Sequence, residues 1–187
     1  MPTALTKEVP FLTGPYGEFI KASPFVVIST AGEDGLDASP RGGPPGFVRI
    51  VDKKTLHMPD RSGNNRVDTL SNIASDGRIG MLFLIPGIGE TMRVNGRAVV
   101  SNDQALRESF TDVNGKVPMS VVIITVEAAY VHCSQSLTRS KLWDPTVQIP
   151  RKSLPSMGTL LQSAAKAFDG DGYDKRLAAE GGLIPDD

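Results

Sequence analysis

The stretch TLHMPDRSGNNRVDTLSNIASDG, Thr55 to Gly77, decides how this chain is read. Its period changes midway. Thr55–Pro59 is an apolar run of strand length, whereas Val67, Leu70, Ile73 and Ala74 recur at helical spacing. Asn65 is placed to cap the helix, with Asp68 in the reciprocal position three residues on, and Gly77 to end it. Between strand and helix stand Arg61, Asn64, Asn65 and Arg66 around Gly63. A helix N-terminus offers unpaired N–H groups and partial positive charge, so the turn suits an anion such as phosphate. Arginine adds a planar fork for phosphate oxygens. The same residues also suit a plain helix cap, with Arg61 and Arg66 paired to Asp60 and Asp68. The residues alone leave both readings open.

Working outward, GFVRIVD (Gly46–Asp52) and Thr55–Pro59 read as a hairpin around Lys53–Lys54. SPFVVISTAGEDGLDASPRG reads as another, with Phe25–Thr30 and Leu36–Arg41 as strands and GEDG as the turn. RIGMLFLIPG is a continuous apolar strand. ETMRVNGRAVVS alternates, with Thr91, Arg93, Asn95 and Arg97 on the face opposite Met92, Val94 and Gly96. Asp103–Thr111 is a short helix, and MSVVIITVEAAYVHCS is the most strand-like segment. LTRSKLWDP is a turn or short helix, Thr159–Phe168 a C-terminal helix, and the remainder loose. The first residues form an arm whose short helix is interrupted by Pro10, Gly14, Pro15 and Gly17. About six strands with few helices between them predict a mostly β fold, a six-stranded antiparallel β-barrel with peripheral helices. The expected organisation is an arm over 1–22, a core over 23–145, and a helical extension and tail over 146–187.

The 187 residues fit one domain, and a net charge of −1 excludes the broad basic field of a general nucleic-acid binder. One cysteine, Cys133, rules out a disulfide within the chain and points to reducing cytoplasm. No secretory leader and no membrane-spanning run is expected. Two histidines, His57 and His132, supply a metal centre poorly. His132 and Cys133 are neighbours on a strand and face opposite ways, so they form no simple pair; Cys133 reads as a buried structural thiol. In ASPRGGPPGFV, Ser39, Pro40 and Arg41 open a rigid loop that suits the edge of a planar ligand, or an ordinary tight turn. The Thr91 and Arg93 face is either solvated or the wall of a site. Trp143, beside Arg139 and Lys141, suits a core or interface, or the flank of a planar ring.

In this order these segments resemble the pyridoxamine 5'-phosphate oxidase-like, FMN-binding split-barrel superfamily, over roughly Ser23 to Pro145. PDRSGNNR and ETMRVNGRA carry most of the likeness, which lies with the bacterial flavin-binding homologues rather than the vitamin B6 enzyme. The resemblance implies a homodimer with FMN at the subunit interface. It implies that Arg61, Asn64, Asn65 and Arg66 hold the phosphate and that the ring lies along Ser39, Pro40 and Arg41. Thr91 and Arg93 would add contacts, and Lys141 and Trp143 would come from the second subunit. Asn64–Asn65 stand where the B6 enzyme has an arginine–lysine pair, and its C-terminal arginine and histidine motif has no match after Trp143. Pyridoxamine phosphate oxidation is therefore not expected. The leading expectation is an FMN-dependent oxidoreductase acting on a small-molecule substrate or electron donor. A hydride would move through flavin N5, with Arg41 or Arg93 stabilising the reduced ring. The alternatives are a flavin-binding, storage or redox-sensing protein, and a deazaflavin-dependent reductase. Haem is disfavoured because neither histidine sits in a supporting motif.

Overall fold

The computed structural model describes residues 6–33, 35–61 and 67–179. The chain divides into two compact units, 1–143 and 144–187. In the first, seven strands form one sheet: β1 Phe25–Gly32, β2 Gly35–Gly42, β3 Arg49–Asp52, β4 Thr55–Asp60, β5 Arg78–Leu84, β6 Thr91–Ser101 and β7 Ser120–His132. Their order is β2-β1-β5-β6-β7-β4-β3, with every neighbouring pair antiparallel. The mostly β, antiparallel split barrel with peripheral helices is as expected, but it has seven strands rather than six. The segments named as strands in the sequence account for all seven, and the one read over Gly46–Asp52 is shorter than expected, Arg49–Asp52.

Pairing register separates the two faces. The rows Arg41–Val26–Phe83–Met92–Val131 and Ser39–Ile28–Met81–Val94–Ala129 run across β2, β1, β5, β6 and β7. Val26, Ile28, Met81, Phe83, Met92 and Val94 are all at most 2% exposed, so these rows line the core. The row between them, Pro40–Val27–Leu82–Arg93–Tyr130, faces outward. On β4, Leu56 and Met58 face inward opposite Ile124 and Val122, and Asp60 opposite Ser120 continues that face.

Helices close the core. α1 (Gly14–Ala22) is capped by Thr13, whose side chain accepts the Tyr16 N–H, and it buries Ile20. Pro15 lies in its first turn, where a missing N–H costs no bond. The proline–glycine cluster that reads as an interruption is thus a start signal. α2 (Asp68–Ser75) buries Thr69 and Ile73 and packs on β1, β2 and β6. It begins later than Asn65 predicts: Val67 occupies the cap position and makes no side-chain cap bond. Ser62, Gly63, Asn64, Asn65 and Arg66 lie outside the described residues. Gly77, at φ +78°, follows the last turn as predicted. Just past it, Arg78 forks onto Asp76 at 2.6 and 2.7 Å and holds that carboxyl at about 2.

Other differences are local. α3 is shorter than expected, Gln104–Glu108, and LTRSKLWDP is part of a true helix, α4, at Gln135–Ser140. Cys133 is exposed, not buried. In the second unit the helix expected over Thr159–Phe168 is α5, Met157–Ala164, and a second helix, α6 (Gly170–Ala179), forms where the chain was expected to be loose. Asp169 divides them by accepting the Gly172 N–H at 2.9 Å. They pack with Gly158 against Gly170, where a Cβ on Gly158 would fall 2.1 Å from the Gly170 carbonyl oxygen. No helix among the described residues is long and apolar enough to cross a membrane.

One bulge bends the long β6–β7 ribbon. Asn95 pairs with Ala128 and Gly96 with Val126, leaving Glu127 as the extra residue. A Cβ on Gly96 would lie 1.9 Å from the Thr125 carbonyl oxygen, so only glycine lets the ribbon close here. Gly96→Ala is expected to cost about 1–3 kcal/mol of stability, read as a lower urea midpoint at unchanged slope.

Candidate functional site

β2 presents three polar side chains to the inner face at alternating positions: Asp37, Ser39 and Arg41. Ser39–Arg41 therefore lie on a strand rather than on the loop the sequence suggested. Thr69, in the first turn of α2 and only 3% exposed, meets all three. Its hydroxyl donates to Asp37 Oδ2 at 2.6 Å, and Ser39 Oγ donates to the same oxygen at 3.0 Å. Arg41 Nη2 donates to Thr69 Oγ1 at 3.4 Å. A hydroxyl has one proton, so once Thr69 gives its own to Asp37 its oxygen is left to accept from Arg41. The chain of donors runs one way, from Arg41 through Thr69 to Asp37.

Asp60 joins this group from the far side of the sheet. It is the last residue of β4, half-buried, and Ser120 Oγ reaches its Oδ2 at 3.5 Å. Burial pushes its carboxyl pKa up, while the charge of Arg41 and the Ser120 hydroxyl pull it back. That electrostatic contact has a topological meaning. Arg41 aligns with Met92 near the start of β6, whereas Asp60 aligns with Ser120, beyond the end of β6 at Ser101. The two residues stand at diagonal corners of the strand order, yet the charge of Arg41 acts on Asp60. The donor-rich turn at 62–66 follows directly in sequence.

Arg61 turns elsewhere. Its guanidinium donates to the Phe110 carbonyl at 3.0 Å and pairs with Asp112 at 3.5 Å. Arg49, stacked 3.7 Å above the Phe110 ring, ties the same loop to β3. Arg61 thus fixes the loop before β7 and forms neither the Asp60 pair nor a contact with the Arg41 group among the described bonds.

The remaining predicted residues lie on the outer face. Pro40 and Arg93 occupy one outward row, and Arg93 Nη1 donates to the Tyr130 hydroxyl at 3.1 Å with its guanidinium over that ring. Thr91 pairs with His132, whose pKa is pushed down first by burial, then by the charges of Arg93 and Lys7. The loop before β6 is pressed against α4: a Cβ on Gly89 would fall 2.7 Å from Ser134 Cβ. Trp143 closes the same corner, its indole N–H donating to the Ile88 carbonyl at 2.8 Å. Lys141, in the left-handed conformation at φ 53°, ends α4 two residues earlier. The chain therefore places Ser39 and Arg41 on the inner face of the sheet, Arg93 and the buried Thr91 on the other, and Lys141 and Trp143 just past α4.

The sequence model described as pyridoxamine 5'-phosphate oxidase matches residues 12–133, well over half of the chain. The chain belongs to that family. Among solved structures, a single-residue variant of HupZ from Group A Streptococcus is 22% identical, with a TM-score of 0.53, covering 64% of this chain and 98% of its own. A provisionally assigned pyridoxamine 5'-phosphate oxidase from Lactobacillus delbrueckii is 18% identical, with a TM-score of 0.51, covering 66% and 98%. At such identities these likenesses speak for the fold. No curated protein matches the chain. The fold is the flavin-binding, oxidoreductase-like split barrel of the pyridoxamine 5'-phosphate oxidase family.

Asp37, Thr69, Asp60 and Ser120 interact with one another or with Arg41, and the sequence assigned none of them to a ligand. Asp37 was within reach, because it continues the i, i+2, i+4 alternation of Ser39 and Arg41. Thr69 falls on the polar side of the first helical turn. Asp60 becomes visible only once the chain folds. A fixed guanidinium retains unused N–H donors, and its carboxylate neighbour accepts a proton more readily than an exposed aspartate.

In the folded protein Asp60 should titrate above the ordinary aspartate range near 3.9, measured by the pH dependence of its side-chain carboxyl NMR signal. Arg41→Ala and Ser120→Ala should each raise it further, since both partners favour the ionised form. A carboxyl raised on folding contributes stability that is present at low pH and is lost as pH climbs through its folded pKa. Asp60→Asn should remove that component of the pH–stability curve.

Proposed function

We propose that the chain is an FMN-dependent oxidoreductase that holds its flavin between two copies of itself and acts on a small molecule other than pyridoxamine phosphate. The observation that carries this reading is Arg41, fixed on the inner face of a pyridoxamine 5'-phosphate oxidase-type barrel beside the start of α2. Asn64, Asn65 and Arg66, at the strand-to-helix turn, would hold the phosphate. Arg61, already engaged with Asp112, would contribute charge at that end rather than a first contact. Ser39, Pro40 and Arg41 would line the ring edge. When bound, FMN supplies hydride-transfer chemistry at N5. Arg41 would stabilise negative charge at the ring's pyrimidine end, and half-buried Asp60 would keep a proton as an anion approaches.

Two faces argue for two subunits. Ser39 and Arg41 point inward while Pro40 and Arg93 point outward, so one chain does not wrap both sets around one ligand. A two-fold axis sets the outer corner of one copy, with Thr91, Arg93, Lys141 and Trp143, against the inner face of the other, and makes two equal sites. Trp143 is well suited to such a role, because its indole N–H is already satisfied within its own chain and its ring is free to cover a neighbour.

Purified protein mixed with FMN and desalted should retain flavin absorbance at one flavin per chain and elute as a dimer on size exclusion. Arg66→Ala should weaken FMN binding about tenfold or more, the scale of a lost charged phosphate contact. Reduction of the bound flavin by a nicotinamide nucleotide, followed by reoxidation with turnover of an added acceptor, would establish the catalytic half of the proposal. Protein that retains no flavin, or Arg66→Ala with unchanged affinity, would refute the cofactor or the phosphate assignment respectively.

A further inference from the structure

The one-way chain Arg41→Thr69→Asp37 spans two elements. Arg41 and Asp37 belong to β2, while Thr69 belongs to the first turn of α2. Among the described residues, the other hydrogen bond of Arg41 is to its own neighbour, Nη1 donating to the Pro40 carbonyl at 3.1 Å. Left to that bond alone, the guanidinium of a long side chain would sample several rotamers. Thr69 is nearly fully buried and its only proton is committed to Asp37 at 2.6 Å, so its oxygen is held in place as an acceptor. Ser39 donates to the same carboxylate and keeps Asp37 from turning away. Farther along α2, Asn72 Nδ2 donates to Thr30 Oγ1 on β1 at 3.1 Å, so the helix does not slide along the sheet. The helix that follows the phosphate turn thereby sets where Arg41 points.

We propose that Thr69, backed by Asp37, is the positioning residue for Arg41, and that it couples the phosphate end of the site to the ring end. The coupling rests on the flavin reading given above; the positioning does not. An anion that fixes the start of α2 also fixes the Thr69 oxygen, and with it the guanidinium that meets the ring. The effect is reciprocal, because two groups that order the same element favour each other's binding. Thr69 touches no ligand in this account and acts through Arg41.

The test is a double-mutant cycle read in two ways. The first readout is the Asp60 carboxyl titration in flavin-free protein, because Asp60 senses the charge of Arg41. Thr69→Val should shift that titration in an otherwise wild-type chain and leave it unmoved in an Arg41→Ala background, while Thr69→Ser should restore the wild-type curve. The second readout is FMN affinity. Thr69→Val should weaken it about tenfold, as for a lost hydrogen bond to a charged group, and the double variant should bind no worse than Arg41→Ala alone. A Thr69→Val shift that persists without Arg41, or single losses that multiply in the double variant, would show a general structural role and overturn the proposal. So would a Thr69→Ser variant as impaired as Thr69→Val. If the wild-type chain binds no FMN, the flavin reading and the coupling fall, and the Asp60 cycle still decides whether Thr69 positions Arg41.

Discussion

Asp60 is a half-buried carboxyl at the end of β4 whose ionised form is favoured by the charge of Arg41 on β2 and by the Ser120 hydroxyl. An ionised group in a partly buried site needs a counter-charge or a proton. Arg41 exerts its charge from β2, far from β4 in the strand order. The bulge at Gly96 interrupts the β6–β7 register, and α2 packs on β1, β2 and β6. An apolar residue at position 60 would relieve the demand on Arg41.

Arg41 is held in place by the Pro40 carbonyl and the Thr69 hydroxyl. Preorganisation of this kind lowers the cost of binding, because the side chain is already ordered before a ligand arrives. The outer corner works differently. Arg93 rests on Tyr130, and Trp143 is pinned to the Ile88 carbonyl, so this surface is stiff and aromatic. Stiff aromatic surfaces make good partners for a face that is itself rigid.

Much of the fold was legible in the sequence. The hairpins, the long alternating strand of Thr91–Ser101 and the helix after Asp60 follow from residue periodicity and turn residues. The misreadings have physical causes. Pro15 and Gly17 read as interruptions because a proline in a first turn is indistinguishable, in sequence, from one that breaks a helix. α6 was missed because GDGYDKRLAA opens with two glycines and is dominated by polar residues, which read as loose chain. For the site, alternation within a strand was visible, but the relative facing of two strands was not. That Arg41 looks inward while Arg93 looks outward is set by pairing register across β1 and β5, and no local pattern encodes it. Thr69 and Asp60 escaped for a related reason: their importance lies in what a distant segment brings to them.

The division of β2 into an inward polar row and an outward apolar one carries a rule of counting. Asp37, Ser39 and Arg41 face the helix, while Leu36, Ala38 and Pro40 face away. Which set points inward is fixed by the number of residues in the turn between Gly32 and Gly35. Lengthening that turn by one residue, with the ladder re-formed one step over, would give a hairpin with all its backbone bonds and the wrong side out. Proline would meet the helix and the guanidinium would hang in solvent. Lengthening it by two would restore the facing.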